Sequence, residues 1–305
     1  YKAIAHRNGS RPVLVTGAYG FIGRRLVNYL IEQGDTVVAF DTSSAPVDRK
    51  DQQADGLIHQ QGDIRRPDDL LRAIETHDTG SIVHLAALLI PDCFENPVLG
   101  AEVNVIGHIN VLDAARACGI DKVVYASSIA ARPRPPLGAP PTLYGVFKHC
   151  DEEISQVYFR DHGLATIGLR PVILYGPGRE IGQTAAITMA MKAAAQGESF
   201  TIPFRESTCF QHIDETADIF RRCLAVSPEK PVISDMAAEM QTTEDVANAI
   251  RAVVPDADIE IANDSRAGPP DLDDSILNNL LGQRDRISLE DGVRRTIDHY
   301  RSTPM

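Results

Sequence analysis

The 305-residue chain has no tryptophan and no long hydrophobic run. No stretch approaches the roughly 20 consecutive apolar residues that a membrane-spanning helix needs. Residues 1–12 are polar and lack the apolar core of a secretory signal peptide. We therefore expect no association with a membrane, and we expect residues 1–11 to form a loose leader before the first strand.

Cysteine is scarce, and its spacing does not match the common metal or disulfide patterns. The chain has five cysteines, Cys93, Cys118, Cys150, Cys209 and Cys223, with no Cys-x-x-Cys pair among them. Their number is odd, and no cysteine–histidine cluster has the spacing of zinc ligands. We expect free thiols, no bound metal and a reducing compartment, which is the cytoplasm.

Positive charge is also in short supply. The chain has 30 lysines and arginines against 42 acidic residues, which gives a formal net charge of −12. Such a balance argues against non-specific binding to nucleic acid or to anionic membranes. The length and the 43% hydrophobic content are sufficient for a large core. We expect a main α/β domain with a smaller lobe.

A glycine-rich turn between a predicted strand and a predicted helix is the clearest motif. The apolar run 13–15 predicts a buried strand, and the periodic segment 21–30 predicts a helix, with Gly17, Gly20 and Gly23 at the junction. Free N–H groups and the dipole at the start of such a helix attract phosphate. The first gap is one residue longer than in the common dinucleotide fingerprint. An ordinary strand-to-helix turn is the alternative.

Acidic residues follow the next two predicted strands. Asp41 comes 24 residues after Gly17, close to the spacing at which a carboxylate binds the adenosine ribose hydroxyls. A carboxylate there would repel the extra phosphate of NADP, which favours NAD, although Arg49 and Lys50 leave NADP open. Asp63 and the following isoleucine, Ile64, can hold adenine, the acid through its exocyclic amine and the apolar side chain against its ring.

Ser128, Tyr144 and Lys148 form a candidate catalytic set. Ser128 follows the predicted fifth strand, at the edge where α/β sheets bind ligands. Tyr144 and Lys148 are four residues apart on a predicted helix and share one of its faces. A nearby ammonium ion favours the phenolate form of tyrosine, which makes it a usable acid or base. A surface pair is the alternative, and His84 is expected to be a packed core residue.

The order of the predicted elements indicates the fold. Strands alternate with helices through residue 170, which predicts an α/β fold with a Rossmann-type doubly wound parallel sheet. One long helical segment is predicted over residues 96–118. Shorter elements follow residue 178. We expect a NAD-binding domain over 12–178 and a smaller C-terminal α/β substrate lobe over 179–305, with segments near 207–236 returning to the first domain.

These motifs resemble the extended short-chain dehydrogenase/reductase superfamily, and within it the NAD-dependent epimerase/dehydratase group. The resemblance follows the family order over residues 13–220. The motifs that carry it are the glycine loop, Asp41, Asp63-Ile64, His84-Leu85-Ala86-Ala87, Asn104, Ser127-Ser128, Tyr144-x-x-x-Lys148, Leu169-Arg170-Pro171 and Tyr175-Gly176-Pro177-Gly178.

The resemblance implies a role for each matching position. Tyr144 would be the acid/base, Lys148 would support it and bind the nicotinamide ribose, and Ser128 would be the catalytic hydroxyl. The implied cofactor contacts run from the pyrophosphate through the adenosine to the nicotinamide: Gly17, Tyr19, Gly20, Phe21, Ile22 and Gly23, then Asp41, Asp63 and Ile64, then Leu85, Ala86, Ala87 and Asn104, and finally Pro171, Val172 and Ile173.

Three departures from the family pattern concern the substrate. Ala130 and its neighbours replace the Tyr-Gly or Phe-Gly that often follows the catalytic serine. Only 16 residues separate Ser128 from Tyr144, so the loop over the substrate is short. Thr208 stands where nucleotide-sugar enzymes carry the arginine that holds a diphosphate, and its loss removes a fork-shaped cation. Arg205 is a candidate substitute.

These features favour a dehydrogenase that uses NAD(H) as a free cosubstrate and acts on a sugar, a sugar acid or a hydroxy acid. The alternative is a nucleotide-sugar epimerase with tightly bound NAD. A dehydratase is less favoured because Ile129 and Ala130 replace its usual Asp-Glu pair. A non-catalytic NAD-binding regulator is least favoured, because the catalytic set is complete.

Few residues can be nominated for the substrate, and the expected assembly comes from the resemblance alone. Arg179, Glu180 and Arg205 are polar residues on loops expected near the crevice, and solvated surface charge is the alternative for each. The family commonly dimerises through helices near residues 96–118 and 144–161, which implies a homodimer that binds a small molecule.

Overall fold

The computed structural model describes residues 11–44, 55–237, 239–266, 268–269 and 271–302. Most of the expected leader lies outside these ranges, as do Arg49 and Lys50. Their bearing on NADP therefore stays a question for experiment. No helix in the described ranges is both long enough and apolar enough to cross a membrane.

The described residues form twelve strands and eleven α-helices. The strands are β1 Val13–Thr16, β2 Val37–Asp41, β3 Leu57–Gln61, β4 Ser81–His84, β5 Val123–Ala126, β6 Thr166–Arg170, β7 Ile173–Tyr175, β8 Phe200–Ile202, β9 Ser207–His212, β10 Val232–Asp235, β11 Met240–Thr242 and β12 Ile259–Ile261. The helices are α1 Phe21–Glu32, α2 Pro67–Thr76, α3 Ile90–Glu95, α4 Pro97–Ala101, α5 Gly107–Ala117, α6 Leu143–His162, α7 Ala186–Gln196, α8 Ile213–Leu224, α9 Thr243–Val253, α10 Ser275–Leu281 and α11 Leu289–Ser302.

A seven-stranded parallel sheet is the centre of the molecule. Its order is β3-β2-β1-β4-β5-β6-β10. The strands β1, β2 and β5 are almost fully buried apolar runs, as expected for a sheet covered on both faces, whereas the edge strand β3 is only partly buried. The direction of winding reverses between β1 and β4, and this reversal opens a crevice at the carboxyl ends of the strands. The predicted Rossmann-type doubly wound sheet is confirmed.

Helices cover both faces of this sheet. On one face, α1 packs against α8, and leucines of α1 such as Leu26 and Leu30 are fully buried. On the other face, α2, α5 and α6 pack around Leu70, Leu112 and their neighbours. The two layers hold the carboxyl edge of the sheet rigid, so loops at that edge have fixed starting points.

A second core lies beyond the large sheet. It is built from α7, α9 and α11 with the three-stranded sheet β11-β9-β7 and the two-stranded sheet β12-β8. The chain crosses between the two cores more than once: β7 pairs with β9, whereas β10 joins the large sheet beside β6. The division into a domain over 12–178 and a lobe over 179–305 stays a prediction.

The helical segment predicted over 96–118 is confirmed, because the chain is helical from Pro97 to Ala117, and its middle turn is π-helical. Helices α3 and α4 each begin with a proline in the first turn, where its missing N–H is not needed. Asn96 caps α4 by accepting a hydrogen bond from the Leu99 amide, at 3.1 Å. A π-helical turn, Glu102–Ile106, then joins α4 to α5. This turn contains Asn104, and π-helical turns often occur at functional sites.

Candidate active site

The glycine turn after β1 is shaped by close contacts between backbones. Gly17 has a φ of +67°, and a β-carbon there would lie 2.7 Å from the Ala86 amide nitrogen. A β-carbon on Gly23 would lie 2.1 Å from the Gly17 carbonyl oxygen. Gly20 is the N-cap of α1 and has no side chain to occupy the amide groups of the first turn. Those amides, which include Phe21 and Ile22, are free to bind an anion.

Thr16, at the end of β1, holds the loop that follows β4. Its hydroxyl accepts hydrogen bonds from the amides of Leu85 and Ala86, at 3.2 and 3.3 Å. The same oxygen lies 2.7 Å from Nδ1 of His84, to which it can donate its single proton. His84 is buried, as expected, and burial holds its pKa well below 6.5. The sequence pattern did not single out Thr16.

A cavity of about 550 Å³ opens along the crevice between the glycine turn, the end of β2 and the loop after β3. Nine of the residues predicted to bind the cofactor line it. They are Gly17, Tyr19, Gly20, Asp41, Asp63, Ile64, Leu85, Ala86 and Ala87. A second cavity, of about 620 Å³, lies around Arg11, Gly80 and Lys122 and contains none of the predicted site residues.

Asp41 lies at the end of β2 with its carboxylate partly engaged. One oxygen accepts a hydrogen bond from the Tyr19 amide at 3.0 Å, and the other accepts one from the Ser43 amide at 3.1 Å. Each carboxylate oxygen has a second lone pair, so both can still accept from a diol. Two cations, Arg24 and Arg65, line the same cavity and could meet a phosphate.

The expected adenine pair lies deeper along the same cavity. Asp63 accepts from Arg65, with 2.6 Å between Oδ2 and Nη2, and this hydrogen bond lowers the pKa of the acid. Its carboxylate is therefore ionised and able to accept from an amine. Ile64 is buried against Gly107 at the start of α5, and its carbonyl accepts from Asn110 at 2.9 Å.

Asn104 is satisfied by the backbone beside it. Its amide oxygen accepts from the Leu88 amide at 2.7 Å, and its nitrogen donates to the Leu88 carbonyl at 3.0 Å. The residue is buried and does not line the cavity. Asn104 thus holds the loop after β4 in place, and its predicted contact with the cofactor stays a prediction.

Ser128 and the start of α6 are brought together by a contact between backbones. Ser128 is the N-cap of the 3-10 turn Ile129–Ala131, and its Oγ accepts from the Ala130 amide at 3.1 Å. Thr142 caps α6 through the Gly145 amide. A β-carbon on Gly145 would lie 2.3 Å from the Ala130 carbonyl oxygen, so only glycine allows this approach. Tyr144 is half-buried at the second position of the helix.

Lys148 lies one turn further along α6 and is buried, with 3% of its surface exposed. Its Nζ is 3.4 Å from Oδ2 of Asp151, which is fully buried. Burial raises the pKa of Asp151 to about 7, and the ammonium group opposes that shift. Sequence reasoning missed this partner, although its position three residues after Lys148 places it on a neighbouring part of the helix.

A buried ion network ties this helix to the sheet. Glu152 accepts from both Ser127 and Arg170, with 2.7 Å between Arg170 Nε and Oε1. Arg170 also reaches Asp235 at the end of β10, at 3.4 Å, and Arg132 reaches the same carboxylate at 3.0 Å. The network fixes the loop after Ser128 to two strands and to α6.

The segment Pro171, Val172 and Ile173, predicted to contact the nicotinamide, lies beside the serine turn. The Pro171 carbonyl accepts from the Ile129 amide at 3.1 Å. Backbone that would meet the nicotinamide therefore sits next to Ser128. These predicted roles rest on placement and remain a proposal.

The three nominated substrate residues have different surroundings. Arg205 is half-exposed and forms an ion pair with Glu244. Glu180 is exposed and accepts from Lys192 at 2.9 Å. Arg179 stacks on the ring of Phe21, with 5.3 Å from its guanidinium carbon to the ring centre. Burial lowers the pKa of Arg179, and the charge of Tyr144 opposes that shift.

Comparisons with known proteins agree with this architecture. A model of the NAD dependent epimerase/dehydratase family matches residues 13–233. The 2-alkyl-3-oxoalkanoate reductase of Stenotrophomonas maltophilia is 33% identical over 178 residues, which cover 54% of this chain and 52% of that protein. The matches cover 64%, 44% and 54% of the length of three further curated relatives.

Solved structures extend the likeness over nearly the whole chain. The UDP-glucose 4-epimerase of Thermus thermophilus, in complex with NAD, has a TM-score of 0.79 at 25% identity and covers 96% of this chain and 100% of its own. The L-threonine dehydrogenase of Cupriavidus necator, in its holo form, shares the fold with a TM-score of 0.83 at 22% identity, covering 94% and 99% of the two chains.

The family match spans more than half of the chain and includes the glycine turn, Asp41, Ser128, Tyr144 and Lys148. The glycine turn and Asp41 line the crevice at the carboxyl edge of the parallel sheet, and Ser128 follows β5 at that edge. The chain belongs to the NAD-dependent epimerase/dehydratase family.

Proposed function

We propose that this protein is an NAD-dependent dehydrogenase that transfers hydride between NAD(H) and a small hydroxylated substrate, namely a sugar, a sugar acid or a hydroxy acid. One observation carries the proposal. The half-buried Tyr144 and the buried Lys148 share the first turns of α6, and that helix packs on the turn that begins at Ser128. The cofactor cavity opens along the same edge of the sheet.

NAD is the cofactor that the residues of the crevice fit best. The free amides at the start of α1 suit a pyrophosphate, and the carboxylate of Asp41 suits an unphosphorylated ribose. Arg24 and Arg65 line the same cavity, and their charges could bind the extra phosphate of NADP, so both cofactors are to be tested. When bound, the nicotinamide supplies the hydride acceptor or donor.

The residues of the chain would handle the proton and the orientation of the substrate. In the oxidative direction, Tyr144 accepts the proton of the substrate hydroxyl as hydride leaves the same carbon for the nicotinamide. Ser128 orients that oxygen, because its hydroxyl can both donate and accept. Lys148 stabilises the phenolate of Tyr144 and donates to a ribose hydroxyl. Asp151, whose Oδ2 lies 3.4 Å from the Lys148 Nζ, keeps the ammonium group in place.

A small substrate is favoured because the crevice lacks a diphosphate clamp. Thr208, where the clamping arginine of nucleotide-sugar enzymes would stand, is completely buried in β9. Arg205, the candidate substitute, has its charge neutralised by Glu244. We therefore assign the region over 179–305 as a lobe that closes over a compact substrate.

A nucleotide-sugar epimerase with retained NAD is the second candidate. The observation that favours it is the likeness, over nearly the full chain, to an epimerase that binds NAD. In an epimerase the hydride returns to the substrate, so NAD stays bound through the cycle. A dehydratase would need an acid–base pair after Ser128, and Ile129 and Ala130 cannot provide it.

A direct assay separates the candidates. Purified protein is mixed with NAD and a panel of sugars, sugar acids and hydroxy acids, and NADH is followed by its absorbance. The proposal predicts turnover with net NADH formation. Epimerisation of UDP-sugars without net NADH, together with NAD recovered in a one-to-one ratio from the purified protein, would establish the second candidate instead.

We further propose that the protein is a homodimer and that it is located in the cytoplasm. Apolar side chains are exposed along α3, α4 and α6, among them Phe94 at 80%, Val98 at 70% and Val157 at 42%. They surround the helices through which the family dimerises. All five cysteines are free thiols, which suits a reducing compartment.

A further inference from the structure

Arg179 has an unusual environment for an arginine. It follows β7, and its backbone amide donates to the Gly176 carbonyl at 3.2 Å. Its guanidinium stacks on Phe21, the first residue of α1, and Nη2 donates to the hydroxyl of Thr184 at 3.3 Å. The loop after β7 therefore holds the side chain in a defined position between the glycine turn and the catalytic helix.

The guanidinium of Arg179 is short of partners. An arginine has five N–H donors, and within the described ranges Thr184 is the side chain that accepts from this one. Its Nε is buried without a hydrogen bond, and no described carboxylate lies within 4 Å. Burial lowers the pKa of Arg179, and the nearby Tyr144 opposes that shift. Arg179 is half-buried, and a partly buried cation without a counter-charge favours the binding of an anion.

Three other arginines are already neutralised, whereas Arg24 is exposed on the cofactor cavity. Arg132 pairs with Asp235, Arg170 with Glu152, and Arg205 with Glu244. The charge of Arg179 is thus available to a ligand, whereas the charges of these three arginines are paired with acids of the protein itself.

Two anions could meet Arg179: the cofactor diphosphate and a carboxylate on the substrate. The diphosphate already has the free amides at the start of α1. The loop after β7 holds Arg179 on the Phe21 ring, and the charge of Tyr144 also reaches its guanidinium, so a substrate held between Tyr144 and that ring would lie beside it. A planar guanidinium matches a carboxylate through two parallel hydrogen bonds.

We propose that Arg179 binds the carboxylate of the substrate, so that the natural substrates are hydroxylated carboxylic acids whose acid group lies a few bonds from the reacting hydroxyl. This inference rests on the proposed dehydrogenase function and narrows its substrate class to sugar acids and hydroxy acids. Anchoring the carboxylate at Arg179 would turn the hydroxyl toward Ser128 and Tyr144. In the reaction the carbon loses hydride to the nicotinamide, the oxygen loses its proton to Tyr144, and a ketone remains, with the charge on Arg179 unchanged.

The test compares acids with their neutral amides. Initial rates with NAD are measured for uronic, aldonic and 3-hydroxy acids, and for the matching amides, with the wild type, Arg179→Gln and Arg179→Lys. We expect Arg179→Gln to raise KM for the best acid by about 10- to 100-fold, because it removes a charge-assisted hydrogen bond. The amide should keep its KM, and Arg179→Lys should recover part of the loss. Arg294→Gln, an exposed variant on α11, is the matched control and should change neither.

A binding measurement separates this inference from the proposed function. The same acids are titrated into the protein loaded with NADH, and the fluorescence of the reduced cofactor is followed, so no turnover is needed. Binding of an acid that depends on Arg179, with no oxidation of any compound, would support the inference while refuting the dehydrogenase. Oxidation of neutral sugars as efficiently as acids would support the dehydrogenase and refute the inference about Arg179.

Two outcomes would overturn the inference. The first is an equal loss for the acid and for its amide in Arg179→Gln, since a carboxylate contact must discriminate between them. The second is weaker binding of NAD itself to Arg179→Gln, measured by calorimetry, with an unchanged preference for acids. That result would assign the arginine to the cofactor diphosphate.

Discussion

At the scale of single residues, the candidate site combines a half-buried tyrosine, Tyr144, with a buried lysine, Lys148. Tyr144 is accessible to a substrate, whereas Lys148 is enclosed and touches Asp151. This division gives the tyrosine access and the lysine a fixed position. Catalysis by a positioned acid or base commonly contributes 10²- to 10⁴-fold in rate.

Replacing Tyr144 by phenylalanine tests that role. We expect Tyr144→Phe to lower kcat by about 10²-fold or more, because the proton of the substrate hydroxyl loses its acceptor. Binding of NAD, measured by calorimetry, should change little. Tyr158→Phe, a half-buried tyrosine on the same helix, is the control. Retention of wild-type kcat by Tyr144→Phe would remove the tyrosine from the mechanism.

Buried histidines add a dependence of stability on pH. His108 lies fully buried against Tyr125, and its Nε2 is 3.1 Å from the Ser155 hydroxyl. Burial lowers its pKa from 6.5 to about 3. Between these values the unfolded chain binds a proton that the folded chain does not, so the free energy of unfolding falls as the pH falls through this window.

His108→Gln should flatten that dependence. The amide can still donate to Ser155 but cannot take up a proton. Between pH 4 and 6, we expect the slope of the free energy of unfolding against pH to be smaller than in the wild type by ~1.4 kcal/mol per pH unit. This difference corresponds to the uptake of one proton. Urea unfolding at several pH values measures it. The exposed His162→Gln should keep the wild-type slope, and an unchanged slope in His108→Gln would contradict the assignment.

At the scale of elements, the catalytic geometry depends on how closely α6 approaches the turn after β5. The contact between Gly145 and Ala130 sets this distance, and the ion network of Glu152, Arg170 and Asp235 holds both partners on the sheet. A buried pair of this kind is a weak source of net stability, but removing one partner leaves an uncompensated charge.

Gly145→Ala tests the approach. The added methyl group must displace the Ala130 carbonyl, and with it the Ser128 turn. We expect kcat to fall at least tenfold, and the free energy of unfolding to fall by about 1–3 kcal/mol, as is typical of overpacking. Gln156→Ala, an exposed position on α6, should change neither. Full activity in Gly145→Ala would mean that the turn and the helix need not touch.

At the scale of the whole molecule, the surface of α3, α4 and α6 stands out. Exposed apolar residues are ordinary when scattered, but a contiguous group marks an interaction surface. Phe94, Val98, Ile106 and Val157 are all exposed on these helices or on the turn that joins them. In the proposed homodimer, these side chains would contact the second copy.

Phe94→Glu should separate the proposed dimer. A carboxylate at the centre of an apolar contact would be buried without a partner, which disfavours association. We expect the mass measured by analytical ultracentrifugation to halve, with the fold preserved by circular dichroism. Ile276→Glu places the same charge on α10, outside the patch, and should leave the dimer intact. A monomeric wild type would refute the homodimer.

Much of the fold could be predicted from the sequence, because its signals are local. The alternation of buried apolar runs with periodic segments predicts parallel strands and helices, and the glycine spacing predicts the turn after β1. The sequence predicted the helical segment over 96–118 but not the π-helical turn within it, where Asn104 contacts the Leu88 backbone. Such a contact joins two parts of the chain that no local pattern relates.

The sequence by itself therefore determined the family and the cofactor motif and predicted the reactive side chains, because each depends on residue type and spacing along one element. Only the tertiary structure decided which charges are used by the fold and which are free. Arg205 and Arg179 look alike in the sequence, yet Glu244 neutralises the first, while the second stacks on Phe21 with no described carboxylate in reach. Pairing is a matter of distance between elements, and distance is settled by packing.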